Sequence, residues 1–338
     1  MNPLHTKQIA AELSITQKQV LAVAQLLSED ATVPFIARYR KEVTGSLDEV
    51  VIAAIRDRIS QLEELDKRRQ AILNSLEERK LLTDELKGKI ESAITLTELE
   101  DIYLPYRPKR RTKATVAKEK GLEPLGESIF SQENIDITAE AEKYIDAEKG
   151  VNTVEEALQG ARDIIAEWVS ENQEAREKMR DLYQKKGIFI SKVVSGKEEE
   201  GIKYKDYYEW REPISSAPSH RVLAMRRGEN EGFLSLKAEP ETEDAIDLLQ
   251  SVFVKGNNDS ANQVKLAIDD SYKRLLGPSM ETEARVISKE TADKEAIAVF
   301  ADNLRQLLLA APLGEKRVLA IDPGFRTGCK VVCLDENG

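Results

Sequence analysis

The stretch SLDEVVIAAIRDRISQLEELDKRRQAILNSL, residues 46–76, decides the fold class. Val51, Ile55, Leu62, Leu65, Ile72 and Leu76 recur at helical spacing among charged residues, so the stretch reads as one amphipathic helix. Ser46 and Glu49 have the spacing of a capping box, in which each side chain satisfies an otherwise orphaned amide. At 1.5 Å per residue such a helix runs on the order of 50 Å. A strut of that length needs smaller elements packed along it.

The sequence on both sides supplies them. Residues 8–13 and 16–27 read as two short amphipathic helices around Ser14-Ile15, behind an N-terminus where His5 is expected to fray. Thr32 and Pro34 open a third helix that Gly45 ends. On the other side, Thr83 caps a helix, residues 99–103 form another, and Pro105 and Pro108 predict an extended segment. Gly121 to Gly126 read as a break. Thr153 and Glu156 form a second capping box, launching one long helix that stops at Gly187. Residues 187–201 read as irregular, 203–210 as a short helix, and 220–227 as a helix capped by Ser219 and ended by Gly228. Residues 232–238 are the one clear strand before the C-terminal stretch; 239–309 are helical, with breaks at Gly256 and Gly277-Pro278.

Composition agrees with long surface helices. Of 338 residues, 41% are hydrophobic and 33% charged, with aromatics at 5%, which leaves room for two or three domains. No apolar run has the length of a membrane span, and the N-terminus lacks the apolar core of a signal peptide, so the expected address is cytoplasmic, without a membrane partner. Cys329 and Cys333 stand four apart on one expected strand and read as buried apolar side chains, not as a disulfide or redox pair. The net charge of −11 is uneven: residues 1–120 carry +2 and the remainder −13. An acidic total argues against general polyanion binding but leaves room for a local basic patch.

Two patches qualify. Arg38, Tyr39, Arg40 and Lys41 group three cations around an aromatic, at the end of a helix where cations also stabilise the dipole. The sharper one is 103–120, where Arg107, Lys109, Arg110, Arg111, Lys113, Lys118 and Lys120 face only Glu119, with Tyr103 and Tyr106 interleaved. An extended, proline-stiffened basic segment with aromatics suits a phosphate backbone and stacked bases. Docking on the chain's own acidic remainder is the rival reading. Residues 9–27 have helix-turn-helix spacing, but the second helix carries Val20, Leu21, Val23, Leu26 and Leu27, a surface that asks for burial. Ser219-His220 lacks the third member of a triad, and no metal-ligand spacing occurs, so neither a catalytic residue nor a metal or other cofactor is expected.

The C-terminal stretch, residues 317–338, reads as a hairpin: an apolar strand to Ile321, a turn punctuated by Pro323, Gly324 and Gly328, and a Val-rich strand to Leu334. Asp335-Glu-Asn-Gly338 then signals a turn toward a third strand. Two strands alone are marginal, so the expectation is a domain continuing past Gly338 and a chain that is the front of a longer protein. Asp322 ends the first strand, where RNase H-like folds place a metal-binding carboxylate; its partners would come from later elements.

Four stretches, TVPFIARYRKE (32–42), YLPYRPKRRT (103–112), PSHRVLAMRRGE (218–229) and IDPGFRTGCK (321–330), resemble the bacterial Tex family of transcription accessory proteins, in that family's order. The resemblance implies a helical region with a helix-turn-helix-like unit, then an RNase H-like domain of the YqgF type entered at about Arg317, with helix-hairpin-helix units and an OB-fold RNA-binding domain beyond. It also implies that the YqgF-like domain is not an active nuclease. The expected fold is therefore mostly α, a multi-helix elongated scaffold followed by the first hairpin of a truncated RNase H-like α/β domain. The expected organisation is 1–80, a helical region with the strut; 81–315, a central helical region carrying the basic segment at 103–120; and 316–338, the incomplete domain. The expected function is non-enzymatic support of nucleic-acid binding, RNA or DNA, during transcription. The basic segment and Arg38, Arg40 and Lys41 are its candidate contacts. A scaffold for RNA polymerase or another transcription protein, and a nuclease completed by later residues, are the alternatives.

Overall fold

A computed structural model of the chain describes residues 2–324 and 328–338. In chain order the elements are α1 (Pro3–Glu12), α2 (Gln17–Ser28), α3 (Val33–Tyr39), α4 (Lys41–Thr44), α5 (Glu49–Glu78), α6 (Asp84–Ser92), α7 (Leu96–Tyr103), α8 (Lys113–Glu119), α9 (Glu123–Ser131), α10 (Ile137–Glu142), α11 (Val154–Glu171) and α12 (Gln173–Lys186). There follow β1 (Ile188–Val193), β2 (Glu209–Pro213), α13 (Ser219–Asn230), β3 (Leu234–Glu239), α14 (Thr242–Phe253), α15 (Asp259–Ser271), α16 (Gly277–Leu308), β4 (Val318–Gly324) and β5 (Gly328–Leu334). Helix dominates, and the sheets are small and antiparallel. The chain forms two compact units, Met1–Met179 with Ile246–Leu276, and Arg180–Ala245 with Gly277–Gly338.

In the first unit α5 is the strut. It spans 30 residues, about 45 Å. Ile52, Ile55, Leu62, Leu65, Ile72 and Leu76 are buried along it and cluster with Ile9, Val20, Val23, Ile36, Leu86, Ile90, Leu99 and Ile102 from α1–α3, α6 and α7. Each such side chain contributes about 1.5–3 kcal/mol on burial. The start of the strut differs from expectation. Asp48, not Ser46, caps α5, accepting from the Val51 N–H at 2.9 Å, while Ser46 adopts φ +62° in the turn that Gly45 begins. The N-terminus is also ordered further than expected. Asn2 caps α1, and His5 is buried with its Nε2 3.0 Å from Asp66, because α1 packs on α5.

Three other boundaries moved. Arg40, at φ −129°, separates α3 from α4. Asn172 splits the single long helix expected after Thr153, its Oδ1 accepting from the Ala175 N–H at 2.9 Å. Gly126 lies inside α9 and breaks nothing; a Cβ there would sit at ordinary contact distance, 3.4 Å from Trp168.

The second unit holds a three-stranded sheet, order β2-β1-β3. Ile190 pairs with Arg211 on one side and Lys237 on the other. Phe189, Leu236 and Ala238 point to the core and meet Val222 and Met225 of α13 and Ala292 of α16. Strand β1 corrects the expectation of irregular chain, since six residues carry too short a pattern to read; the short helix expected at 203–210 is present as a 3₁₀ helix over Ile202–Tyr207, and β2 starts just after it. Gly228 lies within α13 and does not end it, and a Cβ there would lie 2.5 Å from Leu234 Cδ1, so only glycine fits; Pro218 stands at the N-cap in place of Ser219. A π-helical turn, Tyr272–Leu276, joins α15 to α16 without a break at Gly277-Pro278. Strands β4 and β5 pair from Val318↔Leu334 to Gly324↔Gly328, with Asp322 opposite Lys330. Part of the expected hairpin turn, 325–327, lies outside the described residues. Cys329 and Cys333 are exposed, against the expectation of burial, because no other described strand or helix covers this two-stranded sheet.

Candidate nucleic-acid interface

The basic segment leaves α7 through one 3₁₀ turn, Leu104–Tyr106. Arg107 is extended at φ −65°, ψ 136°, and Thr112 at φ −100°, ψ 168°. Thr112 then caps α8 through a reciprocal box with Thr115. The extended portion is therefore 107–112, shorter than the expected 103–120, because a competent cap restarts helix at Lys113.

Pairing within the first unit sorts the cations. Lys109 Nζ lies 3.0 Å from Glu167 Oε2 and 2.5 Å from Glu171 Oε1, both on α11. The Thr112 hydroxyl donates to Glu167 at 3.1 Å. Burial draws the Lys109 amine down, but the hydrogen bonds and charges of Glu171 and Glu167 outweigh it and leave its pKa raised. Burial pushes the Glu171 carboxyl up, despite Lys109. The two directions agree physically, since one ammonium is shared by two partly desolvated carboxylates. Arg111 meets Glu119 at 3.2 Å in the open, Lys118 meets Glu123 at 2.6 Å, and Lys120 donates to the Gly150 carbonyl at 2.8 Å. Among the described residues, Arg107, Arg110 and Lys113 have no carboxylate within ion-pair distance, and all three are exposed. They recur every third residue, while Lys109 and Thr112 face α11.

The two tyrosines separate. Tyr103 is buried, its hydroxyl 3.2 Å from Ser75 Oγ and its ring 5.7 Å from the Arg68 guanidinium. A ring held that way offers no face to a base, so the stacking expected of Tyr103 has no room. Tyr106 is 36% exposed, and its carbonyl accepts from Arg79 at 2.6 Å.

The second patch is partly tied down. Arg38 lies 3.5 Å from Glu49, and Arg40 stacks over Phe35 at 4.9 Å. Lys41 is exposed and has no carboxylate partner among the described residues. The two helices of the 9–27 stretch pack into the core through Val20 and Val23 of α2, and Gln19 donates to the Thr44 carbonyl at 3.1 Å. Docking on the chain's acidic remainder, the rival reading, describes Lys109 and Thr112, although Glu167 and Glu171 were not singled out in the sequence. Glu167 and Glu171 stand four apart, so they share a helix face, and that was the available signal. Among the described residues no group of three His, Cys, Asp or Glu is placed to hold a metal, and no helix is long and apolar enough to cross a membrane.

Comparison with known proteins adds the family. The Tex-like protein N-terminal domain model matches residues 4–77, and the Tex central region-like model matches residues 132–300. The chain belongs to the Tex family. It is 45% identical to the uncharacterized protein YdcI of Bacillus subtilis, over 98% of this chain and 47% of that protein. It is 40% identical to the transcriptional accessory protein Tex of Neisseria gonorrhoeae, over 98% of this chain and 44% of that one. A human S1 RNA-binding domain-containing protein 1 is 27% identical over 97% of this chain and 34% of its own length. The chain thus spans less than half the length of these relatives. The basic segment, 103–120, falls between the residues matched by the two Tex models.

Proposed function

We propose that this chain is the helical scaffold of a Tex-type transcription accessory protein and that it contacts RNA or DNA without catalysis. The observation that carries the reading is the unpaired trio Arg107, Arg110 and Lys113 on a segment anchored from behind by Lys109 and Thr112. Cations already displayed, with no carboxylate within ion-pair distance, release counterions on phosphate binding without an ion pair to break; Lys113 has only the longer-range attraction of Asp163. The gonococcal relative's name ties that protein to transcription, and the human relative's name gives that protein an RNA-binding domain. Both support the reading. In the same reading the regions are 1–80 with a helix-turn-helix-like unit, 81–315 with the basic segment, and 316–338 as the first hairpin of an RNase H-like domain of the YqgF type, in a cytoplasmic protein.

The test is a titration of single-stranded RNA into the chain across a range of salt concentrations. Reversing Arg107, Arg110 and Lys113 to Glu lowers affinity and flattens the salt slope by about 2, at about 0.7 per lost contact on a single strand. Unchanged affinity and slope would remove the segment from the interface. A second reading, contact with RNA polymerase or another transcription protein, draws on the apolar side chains exposed toward the end of α16, among them Ile297, Phe300, Leu307 and Leu308. Co-purification lost on replacing Phe300 and Leu307 by Ser supports that reading; co-purification that survives both changes removes it.

A further inference from the structure

A cavity of about 380 Å³ opens beside the basic segment within the first unit. Its walls include Leu86, Pro105, Tyr106, Trp168, Asn172 and Gln173. Its charged groups all have partners: Glu85 with Lys89 at 2.7 Å, Asp101 with Arg176 at 2.6 Å, and Glu171 with Lys109, which Glu167 shares. One negative charge is left over, which disfavours an anionic guest and leaves room for a neutral one. Such a guest meets two aromatic rings and two carboxamides. Trp168 is braced by the edge of Phe130, ring centroids 5.6 Å apart, so its indole is fixed in place. Asn172 gives its Oδ1 to the Ala175 N–H, which leaves its NH₂ to donate. Gln173 is exposed, and its amide has no partner among the described residues. Aromatic walls favour a flat guest. Carboxamides read the paired donors and acceptors of a base edge. The volume falls in the range of small-ligand sites.

Position decides between guests of that kind. Tyr106 immediately precedes Arg107, the first of the unpaired cations, so the cavity's aromatic wall and the phosphate-facing segment are consecutive in the chain. We propose that this cavity is a nucleobase subsite, taking one unstacked base of the strand whose phosphates lie on Arg107, Arg110 and Lys113. The inference rests on the nucleic-acid reading above and adds to it: the ligand is single-stranded, since a paired and stacked base cannot enter without being extruded.

The experiment compares the chain's affinity for a single-stranded RNA and for an abasic ribose-phosphate strand of the same length. The base-bearing strand binds about five- to tenfold tighter, the scale of one stacked base. Tyr106→Ala and Gln173→Ala each remove most of that difference and leave the salt slope in place. Both residues are exposed, so the substitutions leave the core intact. A second readout is optical. The chain has two tryptophans, and Trp210→Phe leaves Trp168 as the reporter; its emission falls with the base-bearing strand and not with the abasic one. Equal affinities with a steep salt slope, or a difference that survives both substitutions, overturn the subsite and leave the phosphate reading standing. Binding of neither strand overturns both.

Discussion

Two stretches of this chain, 107–113 and 218–229, each carry three arginines, and the fold treats them differently. In the second, Arg221 donates to Glu212 at 3.0 Å and lies 5.2 Å over the Trp210 ring, while Arg226 meets Glu229 at 3.2 Å and Arg285 bonds the same Glu229. Arg221 is answered by β2 and Arg226 by Glu229 of its own helix, while Arg227 is exposed with no carboxylate within ion-pair distance among the described residues. In the first, α11 offers Glu167 and Glu171 to Lys109 only, and Arg107, Arg110 and Lys113 remain outside. Local cation count does not make an anion site. The acids that other elements bring alongside decide.

The comparison breaks most visibly in binding. Reversing Arg107, Arg110 and Lys113 together costs more than tenfold in affinity for single-stranded RNA at low salt, whereas Arg221→Glu leaves the salt slope as it was. A slope that responds to both alike would mean the two stretches are not different in kind.

Anchoring is the next largest effect. Lys109→Met leaves two partly buried carboxylates without their cation and costs about 2 kcal/mol of stability at pH 7, read by urea unfolding. The loss is pH-dependent, with a definite sign. Burial already raises Glu171 above its unfolded value, so the folded state holds that proton longer. Its contribution is greatest below the ordinary carboxylate value of 4.5 and declines as pH rises through the raised folded value. Without Lys109 the rise is larger, so the variant recovers toward the parent as pH is lowered from 7 to about 5. In the parent, Lys109 contributes stability below the ordinary lysine value of 10.5 and loses it as pH climbs through its raised one. A deficit that stays constant with pH would mean the carboxylates are not what Lys109 holds.

A smaller effect comes from the other stretch. Arg221→Ala is expected to lower stability by about 1 kcal/mol, discounted because the arginine is 38% exposed, with no change in RNA affinity. Calorimetry and the titration above read the two quantities separately.

The strut was legible because six large side chains repeat on one stripe for thirty residues, and the hairpin because Val-rich runs flank turn residues. What escaped reading was set by contacts distant in sequence. Gly126 and Gly228 looked like stops; both lie inside helices, and the approach of Leu234 shows that position 228 has no room for a Cβ. Strand β1 became a strand through pairing with β2 and β3, which six residues cannot announce. In the site, the residue types and the address at 107–113 were readable. The division into anchored and unpaired cations was not, since Glu167 and Glu171 lie more than fifty residues downstream.

The smallest effect concerns a cation between the two cases. Arg111 lies on the basic segment yet pairs with Glu119 at 3.2 Å, both side chains more than half exposed. An ion pair so open is worth a few tenths of a kcal/mol at most. Glu119→Gln therefore leaves stability nearly unchanged and turns Arg111 into a fourth unpaired cation. Affinity for single-stranded RNA should rise about twofold at low salt, with the salt slope steeper by up to about 0.7. The direction is the informative part. Removing one surface acid strengthens binding only if internal pairing is what withholds a cation from phosphate. A fall in affinity would give Glu119 a contact of its own with the strand.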